Sequence, residues 1–255
     1  MFTSKFVAAA SLLLFAGVVS GQGTITAGGA SYVHTATHWD ITPETHFTGV
    51  GTGDQLFEDG WWFRIEGDTQ ETVFPAPGSA SYTGDTATIA WPDLGGRSLA
   101  VTQTVVVSSA AAGQGETSTT IAVTNNSAAT ITLHLFQMID LDINGSAGGD
   151  SATLIQANNF IRVTDATTGQ CEFRGVGAVG YLVLPFAATT DVAAQLSNTT
   201  VTNFTNTGLP FGPGDFTGGL QWTLQLAPGA SGTVLSYTAC NQASTPVSLQ
   251  HFEID

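Results

Sequence analysis

The sharpest candidate site is an acidic run whose oxygen ligands fall at alternate positions before a glycine-rich turn: Asp140, Asp142 and Asn144, followed by Asp150. Hard cations such as Ca²⁺ need several oxygen ligands converging at about 2.3–2.6 Å. Ser151 stands where an EF-hand loop has its bidentate glutamate, and no helical pattern flanks the run, so an EF-hand is excluded. In an extended strand the Cα atoms of Asp140 and Asp142 stand about 7 Å apart on one side. The spacing predicts a calcium site, with a solvated acidic turn as the alternative.

A second candidate is the stripe formed by Trp62, Arg64 and Glu66. Because side chains of a strand alternate between two faces, these three share the face opposite Trp61 and Phe63. An exposed tryptophan beside charged groups suits a carbohydrate, since the ring covers the apolar face of a sugar while the charged groups bond its hydroxyls. The stripe therefore predicts a saccharide-binding surface. The alternative is a sandwich covered on both faces, with Trp62 in a core and Arg64 paired with Glu66.

Paired carboxylates raise the alternative of a glycoside hydrolase, which needs two of them about 5–9.5 Å apart in a cleft. The candidates are Glu58 with either Glu66 or Asp68. Neighbouring acids are expected by chance in a chain with 20 acidic residues. We therefore assign no catalytic residue from the sequence.

His34, His38 and Asp40 form a smaller cluster near an N-terminal strand, with His46 as the nearest further ligand. Such a grouping suits a metal site or an oriented base. No cysteine lies nearby to complete a zinc site, so a surface strand is the favoured interpretation.

The elements that must position these residues have the pattern of β-strands. Alternating apolar and polar runs are cut every 8 to 15 residues or so by Gly, Pro, Asn and Asp clusters. Many strands joined by short turns, without intervening helices, are typical of antiparallel sandwiches or barrels. We expect an all-β protein, a large antiparallel β-sandwich in a single domain over 22–255, with one short helical turn at 191–196. The clearest predicted strands are 61–66, 87–91, 99–107, 119–124, 131–143, 160–164, 181–184, 220–226 and 233–238.

Residues 1–21 have the pattern of a secretory signal peptide, in which Lys5 precedes an apolar run and then small residues. The apolar run is short for a bilayer span, so we expect no integral membrane segment after cleavage and a secreted or cell-surface location. In that oxidising compartment, Cys171 and Cys240 are expected to form one structural disulfide.

The formal net charge of the whole chain is −15. A surface this acidic repels nucleic acid and attracts cations, and calcium is the natural counter-charge outside the cell. The alternative is that the charge serves solubility alone.

Two stretches, 120–135 (TIAVTNNSAATITLHL) and 226–238 (LAPGASGTVLSYT), resemble the strand, polar turn and strand of bacterial immunoglobulin-like sandwich modules. The wider arrangement of FEDGWWFRIEGDTQE, DLDINGSAGGD and NTGLPFGPGDFTGGLQW resembles uncharacterised secreted β-sandwich proteins of bacteria. The resemblance implies a secreted sandwich and carries no activity.

These observations predict a secreted, non-catalytic module that binds extracellular polysaccharide, another polymer or a surface protein, or that builds a surface layer. Calcium is the one cofactor expected, in a structural role. The alternative is a carbohydrate-active enzyme that uses paired carboxylates.

Overall fold

Antiparallel strands make up most of the chain in the computed structural model, which describes residues 22–35, 45–166 and 169–241. The strands are β1 (Gln22–Ala27), β2 (Ala30–Thr35), β3 (His46–Thr48), β4 (Glu58–Ile65), β5 (Thr72–Val73), β6 (Ser79–Thr83), β7 (Thr86–Trp91), β8 (Leu99–Ser108), β9 (Gly115–Asn125), β10 (Ile131–Leu141), β11 (Asp150–Gln156), β12 (Phe160–Thr164), β13 (Gln170–Val176), β14 (Gly180–Pro185), β15 (Phe211–Gly214), β16 (Phe216–Leu226) and β17 (Ser231–Cys240). Within these ranges the one α-helix is α1 (Val192–Leu196). The predicted all-β sandwich is confirmed.

The alternation of side chains located the strands well. The predicted strand 160–164 coincides with β12, whereas β4 begins at Glu58, three residues before the predicted start. The helical turn predicted at 191–196 is α1, which Asp191 caps by accepting a hydrogen bond of 2.7 Å from the amide of Ala194. The predicted leader, residues 1–21, lies outside the described residues. The described chain holds no helix with the length and apolarity that a membrane span requires.

Two large sheets pack face to face. The five-stranded sheet has the order β14-β16-β10-β4-β5, and the nine-stranded sheet has the order β15-β11-β12-β13-β17-β9-β8-β7-β6. A three-stranded sheet, β1-β2-β3, lies beside them. Trp61, Phe63 and Trp222 project from the five-stranded sheet into the core that the sheets share, as their alternation predicts. Trp61 stacks on Trp222 with ring centroids 5.5 Å apart.

The opposite face of the five-stranded sheet, which we call the outer face, is also covered. Trp62, Phe136 and Met138 on this face pack against residues of the segment 186–209, which includes α1. We call this segment the cover. Gly219, also on the outer face, leaves the space in which Phe204 of the cover lies, because a Cβ there would stand 2.6 Å from the Phe204 ring. The five-stranded sheet is therefore the middle of three layers.

The predicted disulfide between Cys171 and Cys240 is confirmed. The two residues lie directly opposite each other on β13 and β17, and both are fully buried. The bridge ties together two neighbouring strands of the nine-stranded sheet.

Candidate functional site

Three carboxylates converge at one end of the outer face. One oxygen from each of Asp140, Asp142 and Asp215 lies within 4.8 Å of the others. Asp140 is near the end of β10, between Glu58 of β4 and Thr217 of β16. Asp142 follows β10 at the start of a 3₁₀ turn, and Asp215 stands between β15 and β16. The pairing of β16 with β10 is what brings Asp215 to the other two.

Asp140 is the buried member of this triad. Its residue is 2% exposed, and its Oδ1 has no hydrogen-bond partner among the described residues. Burial raises the pKa of Asp140 to about 9, and the nearby carboxylates add to the shift. Those carboxylates belong to Asp142, Asp215, Glu58 and Asp191. An unpaired buried carboxylate is unfavourable, so this one must take up a proton or meet a cation.

Asp150 lies next to the triad and is likewise a buried carboxylate without a hydrogen-bond partner among the described residues. It opens β11 opposite Gly214, which precedes Asp215. The residue is fully buried, and neither carboxylate oxygen has a hydrogen-bond partner among the described residues. Burial raises the pKa of Asp150 to about 7, with Asp165, Asp142 and Asp215 adding to the shift. The acidic region thus extends from the triad to the start of β11.

The arginines of the described chain are all engaged elsewhere. Arg64 pairs with Glu71, Arg97 makes two hydrogen bonds to Asp68, Arg162 bonds Glu172, and Arg174 lies over the ring of Phe160. The charged neighbours that shift the pKa of Asp140 are all carboxylates. The fold therefore gathers negative charge around Asp140 without supplying a basic side chain to balance it.

Of the four residues predicted as metal ligands, the structure brings Asp140 and Asp142 together, sets Asp150 beside them and turns Asn144 away. Asn144 adopts a left-handed backbone with φ of 60° inside the 3₁₀ turn. Its Oδ1 accepts hydrogen bonds of 3.3 Å from the Thr52 amide and from Gln55 Nε2. Asn144 thus uses its carboxamide oxygen to shape the turn, and its place among the ligands stays a prediction.

Asp215 is the site residue that the sequence did not reveal. It is remote from Asp142 along the chain and falls in the Pro-Gly-Asp run between two strands. Such a run signals a turn and says nothing about which strand end the turn will meet. Only the register of β16 against β10 places it at the site.

A cavity of about 80 Å³ opens over the triad. It is lined by the three carboxylates together with Phe57, Ala147 and Phe186. The amide of Phe57 donates to the carbonyl of Asp140 at 3.0 Å, and that of Phe186 donates to the carbonyl of Asp215 at 2.9 Å. The two rings meet edge to face with centroids 6.4 Å apart. The backbone that carries the carboxylates thus also fixes the aromatic wall.

The stripe of Trp62, Arg64 and Glu66 was predicted to be an exposed saccharide-binding surface, and this exposure is wrong for Trp62 and Arg64. Trp62 is 1% exposed beneath the cover, and its Nε1 donates to Ser197 Oγ at 3.3 Å. Arg64 is buried as well, and Glu66 is instead held by His134 at 2.9 Å. The alternation assigned the three residues to the correct face. The face is closed because the cover lies on it.

Arg64 belongs to a compensated buried cluster. Its Nε lies 2.9 Å from Glu71 Oε1, in an ion pair that is not aligned as a linear hydrogen bond. Its Nη2 donates to Asn203 Oδ1 at 2.7 Å. Both oxygens of Glu71 accept from the Thr202 amide at 3.0 Å. These contacts join the cover to the sheet and leave Arg64 no role at the surface.

The carboxylates predicted for a hydrolase are not brought together. Glu58 and Glu66 lie at opposite ends of β4, about 27 Å apart at the rise of an extended strand. Asp68, which follows Glu66 after a turn, makes two hydrogen bonds to Arg97. A hydrolase needs its two carboxylates about 5–9.5 Å apart, so neither predicted pair with Glu58 fits.

The histidine cluster is only partly described. His34 is buried in β2, where burial lowers its pKa to about 4, and its Nε2 lies 3.3 Å from Gln103 Nε2. His46 forms an ion pair with Asp54. His38 and Asp40 lie outside the described residues. The prediction of a surface strand is wrong for His34, which the β1-β2-β3 sheet packs against the core.

Comparison with solved structures gives a superposition with a TM-score above 0.5. A bacterial glucoamylase complexed with acarbose superposes with a TM-score of 0.53 at 11% sequence identity, over 88% of this chain and 31% of the glucoamylase. A putative aldose 1-epimerase from Escherichia coli K12 gives 0.49 at 10% identity, over 87% of this chain and 99% of that one. A polysaccharide lyase gives 0.45 at 10% identity, over 86% and 34%. This chain thus spans about a third of the glucoamylase, with which it shares a fold. No protein-family model and no curated protein matches the sequence.

Proposed function

We propose that this protein is a secreted, non-catalytic β-sandwich module that binds an extracellular polysaccharide and is stabilised by calcium held between Asp140, Asp142 and Asp215. The observation that carries the proposal is the buried Asp140 carboxylate, whose Oδ1 is unpartnered among the described residues and faces other carboxylates. A cation satisfies that oxygen and balances the charge in one step.

Calcium suits this ligand set better than other common metals. Zn²⁺ prefers nitrogen and sulfur ligands, and Mg²⁺ keeps much of its water. Ligands at 2.3–2.6 Å on opposite sides of a Ca²⁺ ion stand about 5 Å apart. The triad oxygens lie within 4.8 Å of one another and so are close enough to share one ion.

Two features favour a binding module over an enzyme. The cavity over the triad holds about 80 Å³, far below the roughly 300–1,000 Å³ of a pocket that encloses a small-molecule substrate. The carboxylates suggested for hydrolysis lie apart. Secretion is supported by the disulfide, and a carbohydrate ligand is in keeping with the fold shared with a glucoamylase complexed with acarbose.

Thermal unfolding with calcium or with chelator tests the ion. Extracellular modules bind Ca²⁺ with Kd of about 10⁻⁴–10⁻³ M, so 10 mM CaCl₂ is expected to raise the Tm by about 3–10 °C over EDTA. Asp140→Asn plus Asp142→Asn is expected to abolish the rise.

The matched control removes two carboxylates from exposed turns, Asp85→Asn plus Asp93→Asn. It is expected to keep the full calcium response. An equal response in the triad variant, or no response in the native protein, contradicts the proposed ion.

A further inference from the structure

An ion held by the triad would still have coordination positions open. Ca²⁺ takes six to eight oxygens, and three carboxylates supply between three and six, depending on whether each binds through one oxygen or both. The cavity lies directly over the triad, and its volume of about 80 Å³ has room for two or three water-sized groups. The open positions therefore face a space that accepts small oxygen ligands from outside the protein.

The wall of this cavity is aromatic. Phe186 is 39% exposed, unusual for so large an apolar side chain, and it stands against Phe57. Its position follows from the bond between its amide and the carbonyl of Asp215. A hydroxyl-bearing ligand that reaches the ion would place its carbon skeleton beside this ring. Saccharides combine the two surfaces needed, because they carry neighbouring hydroxyls and an apolar C–H face.

The charge of the protein selects among saccharides. Three carboxylates exceed the charge of one Ca²⁺, and Glu58 and Asp191 add to the field at Asp140. The chain as a whole is strongly acidic. An anionic ligand such as a uronate would meet repulsion, whereas a neutral sugar would not.

We propose that the calcium ion at Asp140, Asp142 and Asp215 directly coordinates two neighbouring hydroxyls of a neutral saccharide, whose C–H face packs on Phe186. This inference rests on the proposed function, because it needs the ion in place. It goes further by naming the ligand class and the surface that receives it. Coordination involves no covalent step: the two hydroxyls replace waters on the ion.

The test is an array of neutral and uronic-acid oligosaccharides, probed with the whole protein in CaCl₂ and again in EDTA. Binding to neutral sugars that disappears in EDTA is the expected result. Phe186→Ala is expected to weaken that binding at least five-fold while the calcium-dependent rise in Tm stays within about 1 °C of the native value. The matched control is Val179→Ala, which truncates an exposed apolar side chain outside the cavity lining and is expected to bind as the native protein does.

The outcomes separate the two proposals. No calcium-dependent change in Tm overturns the ion and therefore both. A normal calcium response with binding only to uronates, or with binding that persists in EDTA, overturns the inference alone. A normal calcium response without binding to any saccharide overturns the inference and the polysaccharide ligand of the proposed function, and leaves the ion. Unchanged affinity in a folded Phe186→Ala variant also overturns it, because the ring would then play no part in the contact.

Discussion

The two ends of the outer face treat buried charge in opposite ways. At one end Arg64 is paired with Glu71, and Asn203 and the backbone of the cover complete their bonds. At the other end, six residues or about 20 Å along β10, the charged neighbours of Asp140 among the described residues are carboxylates. Both ends lie on the same two strands and under the same layer. The difference lies in which side chains the cover and the strand ends contribute.

This comparison shows where the fold is complete without a ligand. A buried ion pair with its hydrogen bonds made needs nothing from solvent, although desolvation still raises the pKa of Glu71. A buried carboxylate among other carboxylates needs a proton or a cation. The Arg64 end is therefore part of the scaffold, and the Asp140 end is where an external ion belongs.

The largest effect is expected at the compensated end. Glu71→Gln leaves the buried Arg64 guanidinium without a counter-charge, and breaking a buried pair in this way lowers the free energy of unfolding by about 3–5 kcal/mol. Urea unfolding in EDTA measures it.

The matched control is the same change at Glu66, whose side chain is largely exposed beside His134. Because exposed pairs contribute little, Glu66→Gln is expected to lower the free energy of unfolding far less than Glu71→Gln does. Equal losses at the two positions would mean that Arg64 is not buried as described.

The same carboxylate-to-amide change at Asp140 is expected to raise the free energy of unfolding, whereas at Glu71 it lowers it. Asp140→Asn replaces a buried carboxyl that, without an ion, must bind a proton to be neutral in the folded protein, so in EDTA at pH 7 it is expected to raise the free energy of unfolding by roughly 1–3 kcal/mol. Replacing EDTA with CaCl₂ is expected to raise the free energy of unfolding of the native protein to at least that of the variant, and to leave the value for the variant unchanged. A loss of stability in EDTA would show that the Asp140 carboxylate has a favourable partner, and it would break the contrast with Glu71.

The fold could be predicted from the sequence because the alternation of side chains between the two faces of a strand is a local property. Trp61 and Phe63 on one face, and Trp62 and Arg64 on the other, follow from the spacing of side chains along one strand. Alternation does not say what lies on each face. The apolar residues of the cover, among them Val192 and Phe204, are interspersed with Thr and Asn and follow no strand alternation, so nothing in the sequence indicated that this segment would close the outer face.

The candidate site was predictable only as far as it is local. Asp140 and Asp142 are two residues apart, and strand geometry alone brings their carboxylates to one side. Asp215 arrives through the pairing of β16 with β10, which depends on contacts across the whole sheet. The contacts of Asn144 with Thr52 and Gln55 were equally out of reach, because both partners come from a distant loop.

Asp59, on the inner face of β4 next to Glu58, offers a third way of holding a carboxylate. Tyr32 Oη and Gln137 Nε2 donate to it at 2.9 Å each. Burial raises its pKa to about 6, and the two hydrogen bonds counter that shift only in part. A raised pKa means that the folded protein binds the proton more tightly than the unfolded chain does. The stabilising contribution is therefore fully present below about pH 3.8 and is lost as the pH rises through 6.

Asp59→Asn is expected to remove that loss, which amounts to about 2 kcal/mol when the free energies of unfolding at pH 4 and pH 7 are compared in EDTA. His34, with its pKa lowered to about 4, acts in the opposite direction: its contribution is present above about pH 6.5 and is lost as the pH falls through 4. Because His34 and the triad are the same in both proteins, the difference between variant and native protein isolates Asp59. An identical pH dependence in the two would mean that Tyr32 and Gln137 stabilise the ionised carboxylate fully. Hydrogen bonds alone would then be enough to stabilise a buried ionised carboxylate, as Arg64 does for Glu71. In that case the lack of a basic partner for Asp140 among the described residues would not by itself require an ion.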